Sequence, residues 1–341
     1  MTVKTKLWLI TAALLILIGL IIFGGVMTVL KWDFTKLSTH KYETNEHMIS
    51  ESFTNISVTT KTADVTFVPT DKDTPYVVCH EQKNLSHTVA VTDGTLNVEI
   101  HDTRKWYEYI GINFGAPKIT VYLPKGSYGL CTVKTSTGDL MIPSDFSFDG
   151  IDVSGSTGDV KCYATALGDI KIKLSTGHIN LENLSALSLD LTVSTGHITA
   201  SGINCSGDIK TKVSTGRINL TDVNCKSLVS DGDTGDMNLK NVIATEKFDI
   251  ERDTGDVKFE GCNAGEIFVT TDTGDVKFDS CDAGELFITT DTGDVKGTLL
   301  SEKIFIPRSK TGKIDAPKTV NGGRCEVNTD TGDIIISLIT K

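Results

Sequence analysis

The chain contains 341 residues, of which 39% are hydrophobic, 31 are glycine and only 7 are proline. It is therefore long enough to bury a large core, and its composition allows a large folded protein. The formal net charge is −11 at pH 7. An acidic surface repels phosphate backbones and anionic lipid head groups, so we predict no nucleic acid partner.

The first predicted element is a helix that spans a membrane. Leu7–Leu30 is a run of 24 uncharged, mainly apolar residues, about the length that crosses roughly 30 Å of hydrocarbon. A cleaved signal peptide would have a shorter apolar core and a small-residue exit, so the run favours an uncleaved anchor. Lys4 and Lys6 favour a cytoplasmic N-terminus, although three lysines soon after the run weaken this preference. We predict a cytoplasmic tail at residues 1–6, one transmembrane helix in the cell membrane at residues 7–30, and an extracytoplasmic remainder.

Beyond the helix the character of the sequence changes twice. Residues 31–52 are mixed and polar, which predicts a linker. Residues 53–126 are rich in Val, Ile, Thr and aromatic residues and contain turn signals such as Asp93-Gly94. This pattern predicts strands that enter and cap a solenoid. Residues 127–341 are predicted to form its regular repeats.

The repeats are built around a glycine with nearly constant spacing. Near-copies of Asp-Thr-Gly-Asp recur between Asp233 and Val295. Self-similarity at a period of about 20 residues is typical of stacked units, each too small to bury its own apolar face. The turn glycines lie 19 or 20 residues apart, at Gly138, Gly158, Gly177, Gly196, Gly216, Gly235, Gly255, Gly274, Gly293, Gly312 and Gly332.

Residues at a fixed distance from each glycine share one chemical character. Two places after the glycine every residue is apolar, as at Val257 and Val276, and so is every residue seven places before it. Apolar and polar residues alternate on both sides of the glycine, which predicts two strands per unit. Units stacked about 4.8 Å apart would join these columns into one core. The predicted fold is all-β, a parallel β-solenoid (a single-stranded β-helix) of 19–20-residue rungs behind one N-terminal transmembrane α-helix.

A meander of antiparallel hairpins is the competing fold, but it leaves the equal spacing of the units unexplained. The handedness stays open, as does a third short strand near Cys262 and Cys281. Pro307 cannot donate to a strand ladder, so we expect a bulge there. The eight cysteines fall mainly in apolar columns and are predicted to fill the core.

The Ser-Thr-Gly-Asp units, as at Ser136–Leu140 and Ser156–Val160, resemble those of the bacterial putative-adhesin family, whose function is unknown. The segments Asp93–Leu96 and Lys118–Pro124 are similar to the segment by which chains of that family enter the repeats. The resemblance extends from about residue 50 to the C-terminus. It implies a β-solenoid outside the cytoplasmic membrane behind a membrane helix, and it brings no catalytic residues.

Two columns of carboxylates form the first candidate site. Calcium takes six to eight oxygen ligands, so stacked aspartates could bind it, and no other cofactor is predicted. The alternative, which we prefer, is structural: Gly allows φ > 0 at the corner, and Thr and Asp side chains bond nearby amides. Lys258, Lys277 and Lys296 could then offset the like charges. The candidate calcium ligands are Asp233, Asp236, Asp253, Asp256, Asp272, Asp275, Asp291 and Asp294.

The second candidate site is an aromatic segment that interrupts the strands. Asp102–Ala116 carries Trp106, Tyr107, Tyr109 and Phe114. Exposed aromatic side chains on such a segment could stack on sugar rings or insert into a partner. The preferred alternative is that they fold over the end of the solenoid as the cap that repeat proteins need.

The third candidate site is the last strand. Ile334–Ile339 is apolar on both faces, with Ile334, Ile336 and Leu338 on one of them. As the final strand of a solenoid it would be an exposed edge. We therefore predict that it binds a partner or mediates end-to-end self-association.

These features favour a non-catalytic, membrane-anchored protein that presents a binding or adhesion surface at the bacterial cell envelope. Its expected partners are cell-wall glycan or another envelope protein. A first alternative is a subunit of an envelope-stress or signalling membrane complex. A second is a β-helical enzyme acting on polysaccharide, but such enzymes need loops that shape a cleft, and the constant spacing of residues 138–332 provides none.

Overall fold

The structure is a computed structural model that describes residues 3–37, 41–109 and 115–339. It contains one helix, α1 (Val3–Val29), and two 3₁₀ turns, η1 (Phe34–Leu37) and η2 (Trp106–Tyr109). In α1 the apolar side chains face outward on every side, and Met27 is the residue of this helix that is buried. The helix is long and apolar enough to span a membrane or to serve as a signal sequence.

All described strands belong to one sheet. The strands before the regular repeats are β1 (Tyr42–Met48), β2 (Asn55–Thr59), β3 (Asp64–Thr70), β4 (Tyr76–Gln82), β5 (Leu85–Thr92), β6 (Thr95–Asp102) and β7 (Lys118–Pro124). The regular repeats comprise β8 (Gly126–Thr137), β9 (Leu140–Ile142), β10 (Phe146–Thr157), β11 (Val160–Cys162), β12 (Thr165–Ala166), β13 (Asp169–Glu182), β14 (Ser185–Ala186), β15 (Ser188–Cys205), β16 (Ile209–Thr215), β17 (Ile218–Thr234), β18 (Met237–Thr254), β19 (Val257–Glu260), β20 (Asn263–Thr273), β21 (Val276–Thr292) and β22 (Val295–Leu299). The C-terminal strands are β23 (Lys303–Thr311), β24 (Ile314–Asp315), β25 (Gly323–Thr331) and β26 (Ile334–Leu338).

The repeats stack in parallel with the register that the glycine spacing predicts. Val257 pairs with Met237 on one side and with Val276 on the other, and all three are buried. Equivalent residues therefore lie over one another and form a continuous apolar core. The predicted parallel β-solenoid is confirmed, and the antiparallel meander is wrong for this region.

Most of the glycine corners require glycine for two reasons. Gly255 has φ +140°, a conformation that residues with a side chain rarely adopt. A Cβ on Gly255 would also collide with the carbonyl oxygen of Gly235 in the preceding rung. The close approach of successive rungs thus explains why the glycine recurs at a fixed interval.

A second corner lies six residues after the glycine. It shows that each rung has a third short strand. Residues with positive φ at this corner include Asn183, Asp222, Asn241 and Ser280, and glycine takes the position at Gly202 and Gly261. The chain turns there and forms a third short face, in which Ala264 pairs with Ala283. Each rung is therefore three-sided. Asn and Asp tolerate this left-handed conformation better than most residues, which explains their presence here.

At the N-terminal end the rungs do not follow chain order. The rung of β2 and β3 stacks on β8 and β9, with Val65 paired to Leu140, and β6 and β7 lie on its other side. Antiparallel strands then extend the sheet, because β5 pairs with β6 while β4 and β1 continue from β7. These strands close the end of the solenoid, as a repeat protein requires.

The C-terminal end corrects the prediction that Ile334–Ile339 is an exposed edge. Strand β26 lies between β22 and β24, and β25 lies between β21 and β23. The outermost rung is therefore formed by β23 and β24. The last strands of the chain, β25 and β26, lie between that rung and the rung of β21 and β22. Ile334 and Ile336 are buried, and Leu338 is half-buried against the core. Pro307 pairs with Val327 in unbroken register, so the expected bulge is also wrong; β23 is an edge strand, where a missing N–H is tolerated.

Candidate functional site

The two aspartate columns differ in what their carboxylates contact. Asp233, Asp253, Asp272 and Asp291, two places before the glycine, are exposed. Asp256, one place after a glycine, accepts a hydrogen bond at Oδ1 from the backbone N–H of Asp275 at 2.9 Å. The same bond links Asp275 to the N–H of Asp294. This second column is thus an aspartate ladder, in which each carboxylate binds the amide of the next rung.

The aspartate ladder also includes rungs that precede the Asp-Thr-Gly-Asp repeats. Asp64 accepts from the N–H of Asp139 at 2.9 Å, and Asp139 accepts from the N–H of Asp159 at 2.8 Å. Where histidine replaces aspartate, Nδ1 of His197 accepts from the N–H of Arg217 at 3.0 Å. An acceptor at this position therefore satisfies an amide that would otherwise lack a partner.

Lysines offset part of the negative charge of this ladder. Lys277 lies 2.9 Å from Asp275 and 3.6 Å from Asp256, and Lys296 lies 2.6 Å from Asp294. The hydrogen bond from Lys277 holds the pKa of Asp275 below its usual value, and Lys296 does the same for Asp294. The pairs are about one-third to one-half exposed, so each contributes little free energy in water.

Calcium binding by these columns stays a prediction. The ladder carboxylates already accept backbone hydrogen bonds, which supports the structural alternative. Within the described ranges, one group of three potential metal-ligand atoms lies within a mutual distance of 4.8 Å, and it is not in the aspartate columns. That group is Cys79, Glu81 and His87.

The aromatic segment forms a short helical turn at its start. Trp106 lies on η2 and is 78% exposed. The turn is held to the sheet by Glu108, which accepts hydrogen bonds from the Asn84 side chain and the Lys105 N–H, both at 2.7 Å. The backbone of Tyr107 and Tyr109 belongs to η2. Their side chains, and all of Phe114, lie outside the described residues.

The sequence did not indicate the buried polar group at the N-terminal end. Oε2 of Glu81 lies 2.7 Å from Nδ1 of His87 and accepts the His87 N–H at the same distance. Nε2 of His87 lies 3.0 Å from the Thr60 hydroxyl, and Asn45 donates to Oε1 of Glu81 at 2.9 Å. The residues come from β1, β4, β5 and the corner after β2. Since no regular spacing links them, only the fold brings them together.

The cysteines are buried throughout, as predicted for core residues. Burial raises the pKa of Cys162 and Cys325 to about 12, so these thiols are protonated at neutral pH. Sγ of Cys281 accepts the Cys262 N–H at 3.4 Å in the stacked column. Thiols in this state pack as small apolar groups rather than acting as nucleophiles.

The described chain is a three-sided parallel β-solenoid behind one long apolar helix, with antiparallel strands at its N-terminal end. Its class is thus that of repeat proteins whose stacked units form a rigid rod. The chain belongs to the Toastrack family DUF4097, whose model matches residues 53–222 and 213–341. None of the curated proteins matches it.

Several solved structures are similar to this chain over most of its length. A candidate adhesin from Bacteroides fragilis shares 15% identity and a TM-score of 0.29, covering 88% of this chain and 97% of its own. A candidate adhesin from Parabacteroides distasonis shares 12% identity and a TM-score of 0.43, covering 85% and 98%. A candidate lipid-binding protein from the same organism shares 14% identity and a TM-score of 0.34, covering 88% and 98%. None of these proteins is named as an enzyme.

Proposed function

We propose that this protein is a single-pass membrane protein whose solenoid lies outside the cytoplasmic membrane and binds another component of the cell envelope without catalysing a reaction. The observation that carries the proposal is that one chain combines an outward-facing apolar helix with a long parallel β-solenoid. Such a helix is stable when lipid covers its side chains. A rod built of hydrogen-bonded rungs presents a surface of fixed shape at a distance from its anchor.

Trp106 is the side chain that we propose for contact with the partner. Tryptophan presents a large amphipathic surface with little conformational entropy to lose, and such residues often dominate binding energy. The turn that carries Trp106 is tied to the sheet through Glu108, so its position is defined before binding. The regular rungs are joined without long loops, which favours a display function over a catalytic cleft.

Membrane anchoring can be tested by fractionation. The full chain should stay in the membrane pellet after alkaline carbonate extraction, and external protease should digest the solenoid in cells whose wall has been removed. A variant lacking residues 1–31 should move to the soluble fraction. Digestion of the solenoid only after the membrane is permeabilised would contradict the extracytoplasmic orientation.

Partner binding can be tested by site-specific crosslinking in intact cells. A photoreactive amino acid at position 106 should form an adduct, whereas the same group at Leu167, an exposed apolar residue on the rod, should not. The adduct's composition distinguishes cell-wall glycan from a membrane protein of an envelope complex. Equal adducts at both positions, or none at either, would remove Trp106 as the contact.

A further inference from the structure

The polar group at the N-terminal end has the composition of a metal site. Sγ of Cys79, a carboxylate oxygen of Glu81 and a ring nitrogen of His87 lie within 4.8 Å of one another, and all three residues are buried. Thiolate, imidazole and carboxylate are the ligand types that Zn²⁺ prefers, at distances of about 2.0–2.3 Å. Three atoms this close can bind one ion with small side-chain movements.

The residues around these three groups orient them as supporting residues do in metal sites. Nε2 of His87 is hydrogen-bonded to Thr60, so Nδ1, which faces Glu81, is the nitrogen available to an ion. Asn45 holds the Glu81 carboxylate through Oε1. Metal-bound histidines and carboxylates generally have such second partners, which set the ring orientation and raise the affinity.

The charge balance also favours a divalent cation. A thiolate from Cys79 and the carboxylate of Glu81 together carry two negative charges, which neutralise Zn²⁺ while His87 stays neutral. A buried site can accept this set because no net charge is left in the apolar interior. Without metal, burial and the nearby Glu81 raise the pKa of Cys79 to about 12, so the thiol is neither a nucleophile nor charged at neutral pH.

The other buried cysteines do not share this environment. Cys131 is equally buried in the neighbouring regular rungs, and no histidine or carboxylate completes a three-ligand group with it in the described part of the chain. It therefore offers a matched control for the loss of a thiol from the core.

We propose that Cys79, Glu81 and His87 bind one Zn²⁺ ion, which joins β4 to β5 and fastens the antiparallel strands that close the N-terminal end of the solenoid. His87 contributes Nδ1, Cys79 contributes Sγ and Glu81 contributes a carboxylate oxygen. The ion has a structural role. It lies where β4, which continues from β7, meets β5, which pairs with β6, so these strands should be more stably folded when the metal is bound.

Cobalt titration tests the site because Co²⁺ bound to thiolate has a near-ultraviolet charge-transfer band. The full chain in detergent, stripped with a chelator, should bind one Co²⁺ per chain with this band, and Zn²⁺ should displace it. Cys79→Ser should abolish the band and Cys131→Ser should retain it. Asn45→Ala should weaken binding by about 10–100-fold, since the carboxylate loses its orienting partner.

Zn²⁺ should also raise the melting temperature of the stripped wild-type chain, because a ligand that binds only the folded state stabilises it. If Cys79→Ser does not fold, Glu81→Gln provides the same test with the side-chain shape kept, and it should lose at least ten-fold in affinity. Absence of the band in the wild type, or its survival in Cys79→Ser or at full affinity in Glu81→Gln, would overturn the proposal.

Discussion

The guanidinium of Arg252 occupies the space that a side chain at Gly232 would need in the preceding rung. Arg252 is 1% exposed, and its Nη2 donates to the Ser230 hydroxyl at 2.7 Å. Neither Nε nor Nη1 has a hydrogen-bond partner within the described ranges. A buried cation with unsatisfied donors costs free energy, so this rung is a weak point in the core.

Gly232→Ala should therefore destabilise the chain by about 1–3 kcal/mol, because the new methyl group displaces the guanidinium and also crowds the carbonyl oxygen of Val213. In the Arg252→Met background, where a flexible apolar side chain replaces the cation, the same change should cost less. Urea unfolding of the four chains would give a coupling energy of about 0.5–3 kcal/mol. Gly155→Ala, in the same column, is a control that lacks both the guanidinium and a close backbone contact, since its Cβ would meet the movable end of Leu174. Equal costs of Gly232→Ala in both backgrounds would refute this account.

The aspartate ladder predicts that hydrogen-bond acceptance matters more than charge at Asp256. Asp256→Ala leaves the Asp275 N–H without its acceptor and should cost about 0.5–1.5 kcal/mol. Asp256→Asn keeps a carbonyl oxygen at this position and should retain most of the stability. Asp253→Ala, in the exposed column, should stay within about 0.5 kcal/mol of wild type.

Urea unfolding with and without Ca²⁺ separates this structural role from the calcium prediction. If Asn proves as damaging as Ala, and Ca²⁺ stabilises only the wild type, the charge of Asp256 would be what matters and the calcium site would gain support.

The stacking of the repeats was predictable because residues in one column share one environment. The order in which the end rungs stack was not predictable, because the residues two places after and seven places before the glycine are apolar in every rung and would suit any neighbour. Cys325 pairs with Leu286 on one side and with Phe305 on the other, and either neighbour would suit it. The three-sided cross-section could have been predicted from the Asn and Asp residues that recur at the second corner. The group around Glu81 could not have been predicted, because Thr60 follows β2 and His87 lies on β5, and only the folded sheet brings them into contact.

The chain should lose stability in acid because of carboxylates near its two ends. Hydrogen bonds from Arg104 hold the pKa of Asp102 well below its usual range. Burial opposes the charged form of Asp282, but hydrogen bonds from Ser301 and Lys303 outweigh it and lower its pKa as well. A folded-state pKa below the unfolded value of about 3.9 stabilises the fold above about pH 4, and this stability is lost as pH falls.

Urea midpoints measured between pH 6 and pH 3 would test this pH dependence. Asp282→Asn should flatten the pH dependence, whereas Asp253→Asn, at an exposed position, should leave it unchanged. An identical slope for wild type and Asp282→Asn would show that other groups control the acid response.

The inserted position of β26 makes a prediction opposite to that for an exposed edge strand. Ile334 is fully buried between Val295 and Ile314 in the register, whereas the neighbouring Ile335 is half-buried and points to the other face. Ile334→Ala should therefore cost about 2–4 kcal/mol through the cavity it leaves, and Ile335→Ala should cost clearly less. Urea unfolding would measure the free energy of unfolding of the two variants, which both replace one isoleucine by alanine. Equal and small costs would mean that β26 frays from the solenoid in solution and that its apolar face is available to a partner after all.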